Sequence, residues 1–109
     1  MLIGSIKDNN PVIIIEHRWC HYIQGKVKIA YSSSSLESGP KKITTGKDYT
    51  VVATSYMVLE SIEAAKILKK FGINIEVFDL RILRPLKLKK IISSVNKTGR
   101  LLTVDTGFK

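Results

Sequence analysis

Four side chains in one short run have the chemistry to bind a metal or move a proton: Glu16, His17, Cys20 and His21. His17 and His21 are four positions apart, so on a helix they share a face and could grip an ion. That reading needs a helix. The run instead follows Val12-Ile13-Ile14-Ile15, a continuous β-branched stretch that reads as a strand buried on both faces. No metal site is therefore expected, and His17 is expected to be hydrogen-bonded near the surface. An active-site-adjacent place in a cleft is the sharper alternative for His17, because perturbed groups gather in clefts. No nucleophile is assigned. Gly-x-Ser-x-Gly does not occur, and Cys20 neighbours the histidines only in sequence. Gly39, Gly46, Gly72, Gly99 and Gly107 stand apart and form no phosphate-cradling loop. Catalytic, cofactor-binding and metal-binding residues are all expected to be missing from this chain.

A second group is electrostatic. Residues 81–100 hold seven basic side chains and no acid, within a chain of formal charge +9 and sequence pI near 9.8. Nucleic acid, an anionic ligand or an acidic protein face would each answer such a field. A solvated helix face is the plainer reading. The same stretch has no aromatic residue, so it offers no stacking platform for single strands. Arg81 and Arg84 together could hold a carboxylate through paired N–H groups. Pairing with Asp79 or Asp105 inside the molecule is the alternative.

These groups need elements to position them. At 109 residues and 44% apolar, the chain is one small domain or pieces of two, and wholesale disorder is excluded. No apolar run is long enough to span a bilayer. Met1 to Ser5 lacks the layout of a signal peptide. A single cysteine forms no internal disulfide, which points to a reducing, cytoplasmic setting.

Asp8-Asn9-Asn10-Pro11 is a turn signal ahead of the expected strand at 12–15. Regularity is lost from Gln24 to Lys47, where Ser32-Ser33-Ser34-Ser35 and Ser38-Gly39-Pro40 are linker-like. Beyond it the pattern alternates. Residues 49–54 read as a strand. Ser55 is placed to cap a helix through its hydroxyl, and Val58, Ile62, Ala65 and Leu68 recur at helical spacing. Ile73, Ile75 and Val77 lie in a second strand ending near Asp79. Pro85 forbids helix at Arg84 and permits one just after. Leu88, Ile91, Ile92 and Val95 form its stripe, Gly99 stops it, and residues 101–104 are a third strand. The class is α/β: a βαβαβ open sheet, mainly parallel, with right-handed crossovers.

Several of these segments carry a resemblance. Residues 10–19, Asn-Pro-Val-Ile-Ile-Ile-Glu-His-Arg-Trp, resemble the last strand of the pyrimidine-binding domain of thiamine-diphosphate enzymes. The opening Gly46-Lys47-Asp48-Tyr49, the run from Val77 to Leu86 with its Arg84-Pro85-Leu86 turn, and Lys97 to Gly107 are similar to the C-terminal domain of one family. That family is the β subunit of the decarboxylating component of 2-oxo acid dehydrogenase complexes (pyruvate dehydrogenase-like), whose C-terminal domain is shared with transketolase.

The resemblance implies a fragment. Residues 1–24 would be the tail of the pyrimidine-binding domain, 25–47 a linker, and 48–109 the first part of a truncated transketolase C-terminal domain. In the parent it implies thiamine diphosphate and magnesium, with none expected on this chain alone. It further implies an α subunit and an acyltransferase core as partners. Self-association is expected because the strands are apolar on both faces and two helices are too few to cover them, and neither a membrane nor nucleic acid is expected as a partner. The family's catalytic glutamate and histidine would lie upstream of Met1. Assembly and interdomain packing, rather than catalysis, are then the expected role. His17, Arg81 and Arg84 are the residues expected beside an active site or interface. A transketolase or deoxyxylulose-phosphate synthase fragment is the enzyme alternative, and an interaction or nucleic-acid-binding module the non-enzymatic one. Lys87, Leu88, Lys89 and Lys90 depart from the family, which places acids after the Arg-Pro-Leu turn.

Overall fold

Two stretches rich in β-branched residues become the buried centre of a sheet. The computed structural model describes residues 1–26 and 39–107. It divides into two units, Met1–Ser38 and Gly39–Lys109, and the Ser32-Ser33-Ser34-Ser35 linker signal lies outside the described residues.

The first unit opens with helix α1, Leu2–Ile6, and contains a 3-10 turn at Arg18–Cys20. Between them the turn signal is realised: the Asp8 side chain accepts from the Asn10 N–H and from Asn10 Nδ2, each at 2.9 Å. Those two bonds hold the Asp8 carboxyl below its ordinary range. The strand expected at residues 12–15 does not form. Ile13 and Ile15 are 88% and 80% exposed. A strand needs a neighbour to take its N–H and C=O groups, and no described segment of this unit pairs with it.

The second unit is the sheet. Its strands are β1 Lys41–Lys42, β2 Tyr49–Ala53, β3 Ile75–Asp79 and β4 Leu101–Val104, in the order β1-β3-β2-β4. β2 pairs in parallel with both β3 and β4. β1 pairs antiparallel with β3, matching Lys41 to Asp79 and Lys42 to Phe78. It falls within the stretch expected to be linker. Thr44 extends that edge: its hydroxyl donates to Ile75 O and accepts from the Val77 N–H, both at 2.9 Å.

The two helices cover opposite faces, as right-handed crossovers require. Helix α2, Tyr56–Lys69, sets Ala65 and Leu68 against Val51, Ile75 and Val77. Helix α3, Lys89–Thr98, sets Ile91 and Val95 against Val52 and Phe78. Gly99, at φ +69°, closes α3 in the left-handed conformation that glycine adopts at little cost.

Two local expectations are corrected. Ser55 stands at the N-cap of α2 but makes no side-chain capping bond, because its backbone sits at φ 50°, ψ −124° rather than the extended geometry capping needs. Helix α3 starts at Lys89, not just after Pro85, since residues 85–88 complete the turn that leads into it. β4 is not enclosed: Leu101 and Leu102 are about half exposed. The strand is an edge, and α2 lies over β2 and β3 instead.

Candidate functional site

The carboxyl ends of three parallel strands converge on one edge of the second unit, where ligands of open α/β sheets are bound. β2 runs into Thr54-Ser55, β3 into the loop from Leu80, and β4 into Asp105. The Leu80 N–H donates to Ala53 O at 3.0 Å, tying the β3 loop to the end of β2. Asp105 Oδ1 accepts from the Thr54 hydroxyl at 3.1 Å and from the Thr106 N–H at 2.8 Å. It bridges β2 and β4, the pair at which the strand order reverses.

Arg81 and Arg84 sit on the β3 loop. Arg81, at φ 56°, turns back so that Nε lies 3.3 Å from Asp79 Oδ2. Intramolecular pairing with Asp79 is thus what the structure shows for Arg81. Burial pushes the Asp79 carboxyl up, and the Arg81 and Lys41 charges only partly oppose it. Arg81→Ala removes the larger opposing charge. The Asp79 carboxyl is then expected to titrate at still higher pH, which a carbon-13 NMR titration of its carboxyl carbon reads. An unchanged midpoint would show that Arg81 does not govern it.

His17 belongs to the first unit. Its Nδ1 accepts from the Trp19 N–H at 3.3 Å, and its ring meets Trp19 edge-on at 5.5 Å. It caps the 3-10 turn. His21 Nε2 lies 3.2 Å from Glu16 Oε2. Among the described residues, no cluster of three or more His, Cys, Asp or Glu has the spacing of a metal site.

A polar cluster that sequence reading missed lies at the opposite ends of the strands. Glu76 on β3 is 2% exposed. Its Oε2 accepts from Ser94 Oγ and, at 2.8 Å, from Lys97 Nζ. Oε1 faces Lys42 Nζ at 3.1 Å, an ionic contact without the angle of a hydrogen bond. Thr50 Oγ1 lies 2.8 Å from Ser94 Oγ and 2.7 Å from Thr98 Oγ1. An ionised Glu76 orients this row: Ser94 donates to the carboxylate, and Thr50 donates to Ser94. Burial pushes the carboxyl up, but the bonds from Lys97 and Ser94 and the Lys42 pairing outweigh it and hold Glu76 below its ordinary range. The row pins α3 to β2 and β3. The signal was a lone acid inside an apolar strand, faced by a serine three residues along the helix stripe from Ile91.

Residues 39–109 match the family described as "Transketolase, C-terminal domain". The chain belongs to that family. The β subunit of acetoin:2,6-dichlorophenolindophenol oxidoreductase from Cupriavidus necator is 41% identical over 106 residues, 96% of this chain and 31% of that protein. The β subunit of the pyruvate dehydrogenase E1 component from Bacillus subtilis is 37% identical, covering 100% of this chain and 34% of the relative. The mitochondrial counterpart from Chaetomium thermophilum is 39% identical over 99% of this chain and 29% of its own length. The chain thus spans about a third of the curated relatives it matches. Among solved structures, one titled "Split gene transketolase, inactive beta4 tetramer" overlays with a TM-score of 0.58 at 34% identity, covering 60% of this chain and 22% of the other. A transketolase variant from Pichia stipitis, at 21% identity and a TM-score of 0.52 over 68% of this chain and 12% of that one, shares the fold.

The carboxylates at the strand ends, Asp79, Asp105 and Glu76, do not fit the magnesium that accompanies thiamine diphosphate. Asp79 is engaged by Arg81, and Asp105 is engaged by Thr54 and Thr106. Magnesium demands converging oxygen ligands in near-octahedral array, and these two carboxylates are bound to other tasks. Glu76 is enclosed by lysines and hydroxyls.

Proposed function

We propose that this chain serves assembly and interdomain packing within a thiamine-diphosphate-dependent 2-oxo acid dehydrogenase β subunit, and is itself catalytically inert. The observation that carries this reading is coverage: two β-subunit relatives match 96% and 100% of the chain while the chain spans only 31% and 34% of them. Residues 1–24 are read as the tail of a pyrimidine-binding domain, 25–47 as a linker, and 48–109 as the first part of the transketolase C-terminal domain. In the assembled enzyme the cofactor, with its magnesium, supplies the decarboxylation chemistry. This chain contributes surfaces toward the α subunit and the acyltransferase core, in the cytoplasm. His17, Arg81 and Arg84 are read as lying beside the active site or an interface. No helix among the described residues is long and apolar enough to cross a membrane.

Self-association belongs to the same reading. Leu102 and Val104 line an open apolar groove of about 550 Å³ beside α2, with Val51, Ala64 and Leu68, and the outer edge of β4 has no partner strand among the described residues. Such edges recruit other chains. The split-gene transketolase, described as an inactive tetramer, supports both halves of the proposal. Calorimetric titration of the chain with thiamine diphosphate and magnesium should give no saturable heat. Sedimentation across a dilution series should show reversible association. Micromolar cofactor binding, or a sharply melting monomer at high micromolar concentration, would overturn it.

A transketolase component is the second reading, favoured by the 34% identity to the split-gene structure. Copurification with a dehydrogenase α subunit, but not with a transketolase N-terminal partner, separates the two.

A further inference from the structure

The loop after β3 exposes charge and apolar surface together. Residues 81–100 contain seven cations and no acid. Two of the seven are neutralised inside the domain: Arg81 by Asp79 at 3.3 Å and Lys97 by Glu76 at 2.8 Å. Among the described residues, no carboxylate pairs with Arg84 or Lys89. Between and beside these cations, Leu83, Leu86, Leu88 and Ile92 are all exposed. Charge serving only solubility does not need four large apolar side chains interleaved with it.

The loop is also held in shape. Ile82 N–H donates to Leu80 O at 2.6 Å, and Pro85 fixes its own φ. Gly39, at φ +63°, passes so close that a Cβ there would come 3.1 Å from Lys87 Cβ. A surface ordered before binding loses little entropy when a partner arrives.

We propose that residues 83–90, together with Ile92, form a docking surface for an acidic protein segment that carries apolar side chains. The partner's carboxylates would face Arg84 and Lys89, and its apolar groups would cover the three leucines. Arg84 suits the carboxylates best, because its planar fork holds both oxygens at once. Nucleic acid is disfavoured: the stretch has no aromatic residue to stack on a base, and leucines gain nothing against phosphates. A membrane surface is disfavoured as well. Of the apolar stripe within α3, Ile91 and Val95 are packed against the sheet and Ile92 alone is exposed, too little for an amphipathic face to insert. The proposal goes beyond the assembly role above and does not depend on cofactor or subunit identity.

Fluorescence anisotropy on the full chain tests it with four probes. They are a labelled amphipathic peptide of about 20 residues built from Glu and Leu, its Gln-for-Glu counterpart, a DNA duplex, and phosphatidylserine vesicles. The Glu/Leu peptide should bind at least about tenfold more tightly than the Gln/Leu peptide, and more tightly than duplex or vesicles. Arg84→Glu with Lys89→Glu should weaken that binding by about tenfold or more, while Lys66→Glu on α2 leaves it unchanged. In the unaltered chain, hydrogen exchange should slow at residues 83–92 when peptide is added. Equal affinity for the Gln/Leu peptide, tighter binding of duplex or vesicles, indifference to the charge reversal, or protection elsewhere would each overturn the proposal.

Discussion

Gly46→Ala is expected to destabilise the second unit by about 3–5 kcal/mol. A Cβ at position 46 would stand 2.3 Å from the carbonyl carbon of Ile75 and 2.4 Å from Asn74 O. Both are backbone atoms, so no side chain can swing aside. The same crossing is stitched by hydrogen bonds. Lys47 and Asp48 N–H groups donate to Asn74 O at 3.1 and 3.0 Å, and the Asn74 N–H donates to Asp48 Oδ2 at 2.6 Å. Making room for one methyl group must loosen these bonds and disturb the entry of β3. Thermal unfolding followed by circular dichroism should show a midpoint lowered by about 15 °C or more. Gly25→Ala, where an added Cβ meets nothing within 4 Å, should change little. A Gly46→Ala midpoint within about 2 °C of the parent would refute the steric argument.

The second large effect falls on Glu76. Glu76→Ala is expected to cost about 3 kcal/mol, the low end for breaking a buried charged cluster. Lys42 and Lys97 are half exposed and can turn to water, whereas Ser94 is buried and loses its acceptor. The effect depends on pH. The folded-state pKa of Glu76 lies below its unfolded value, so its contribution is present above the unfolded value near about 4.3 and fades as pH falls through the folded one. Asp79 has the opposite sign. Its raised folded pKa gives a contribution present below about 3.9 and lost as pH rises through the folded value. Urea midpoints measured from about pH 3 to about pH 7 should therefore show a flatter acid limb for Glu76→Gln. An acid limb as steep as the parent's would show that other carboxylates govern acid stability.

The alternation of periods made most of the second unit legible. Residues 101–104 form the strand their apolar run implies, and the stripe from Val58 to Leu68 lies within α2. What pattern alone could not show was whether a neighbour exists. Val12-Ile13-Ile14-Ile15 is as strand-like in composition as β2, yet it has no described partner in its unit and stays exposed. Lys41 and Lys42, which nothing in their types marks as strand, pair because β3 offers an open edge. The candidate site was legible in part. Arg81 and Arg84 fall on the expected loop, and Asp79 was one of the two partners foreseen for Arg81. The Glu76 row was missed because its members come from β1, β2, β3 and α3, and no local spacing joins them.

The strand order also has a consequence during synthesis. β2 is the central strand, but it leaves the ribosome before either of its neighbours, β3 and β4. At translation speeds of about 5–20 residues per second, it waits for seconds with both edges open and its apolar side chains uncovered. β1 waits too, since β3 must arrive before it can pair. An inner, largely buried strand of the finished molecule is thus among the most vulnerable in the nascent one, and it is the stretch a ribosome-associated chaperone would have most reason to shield.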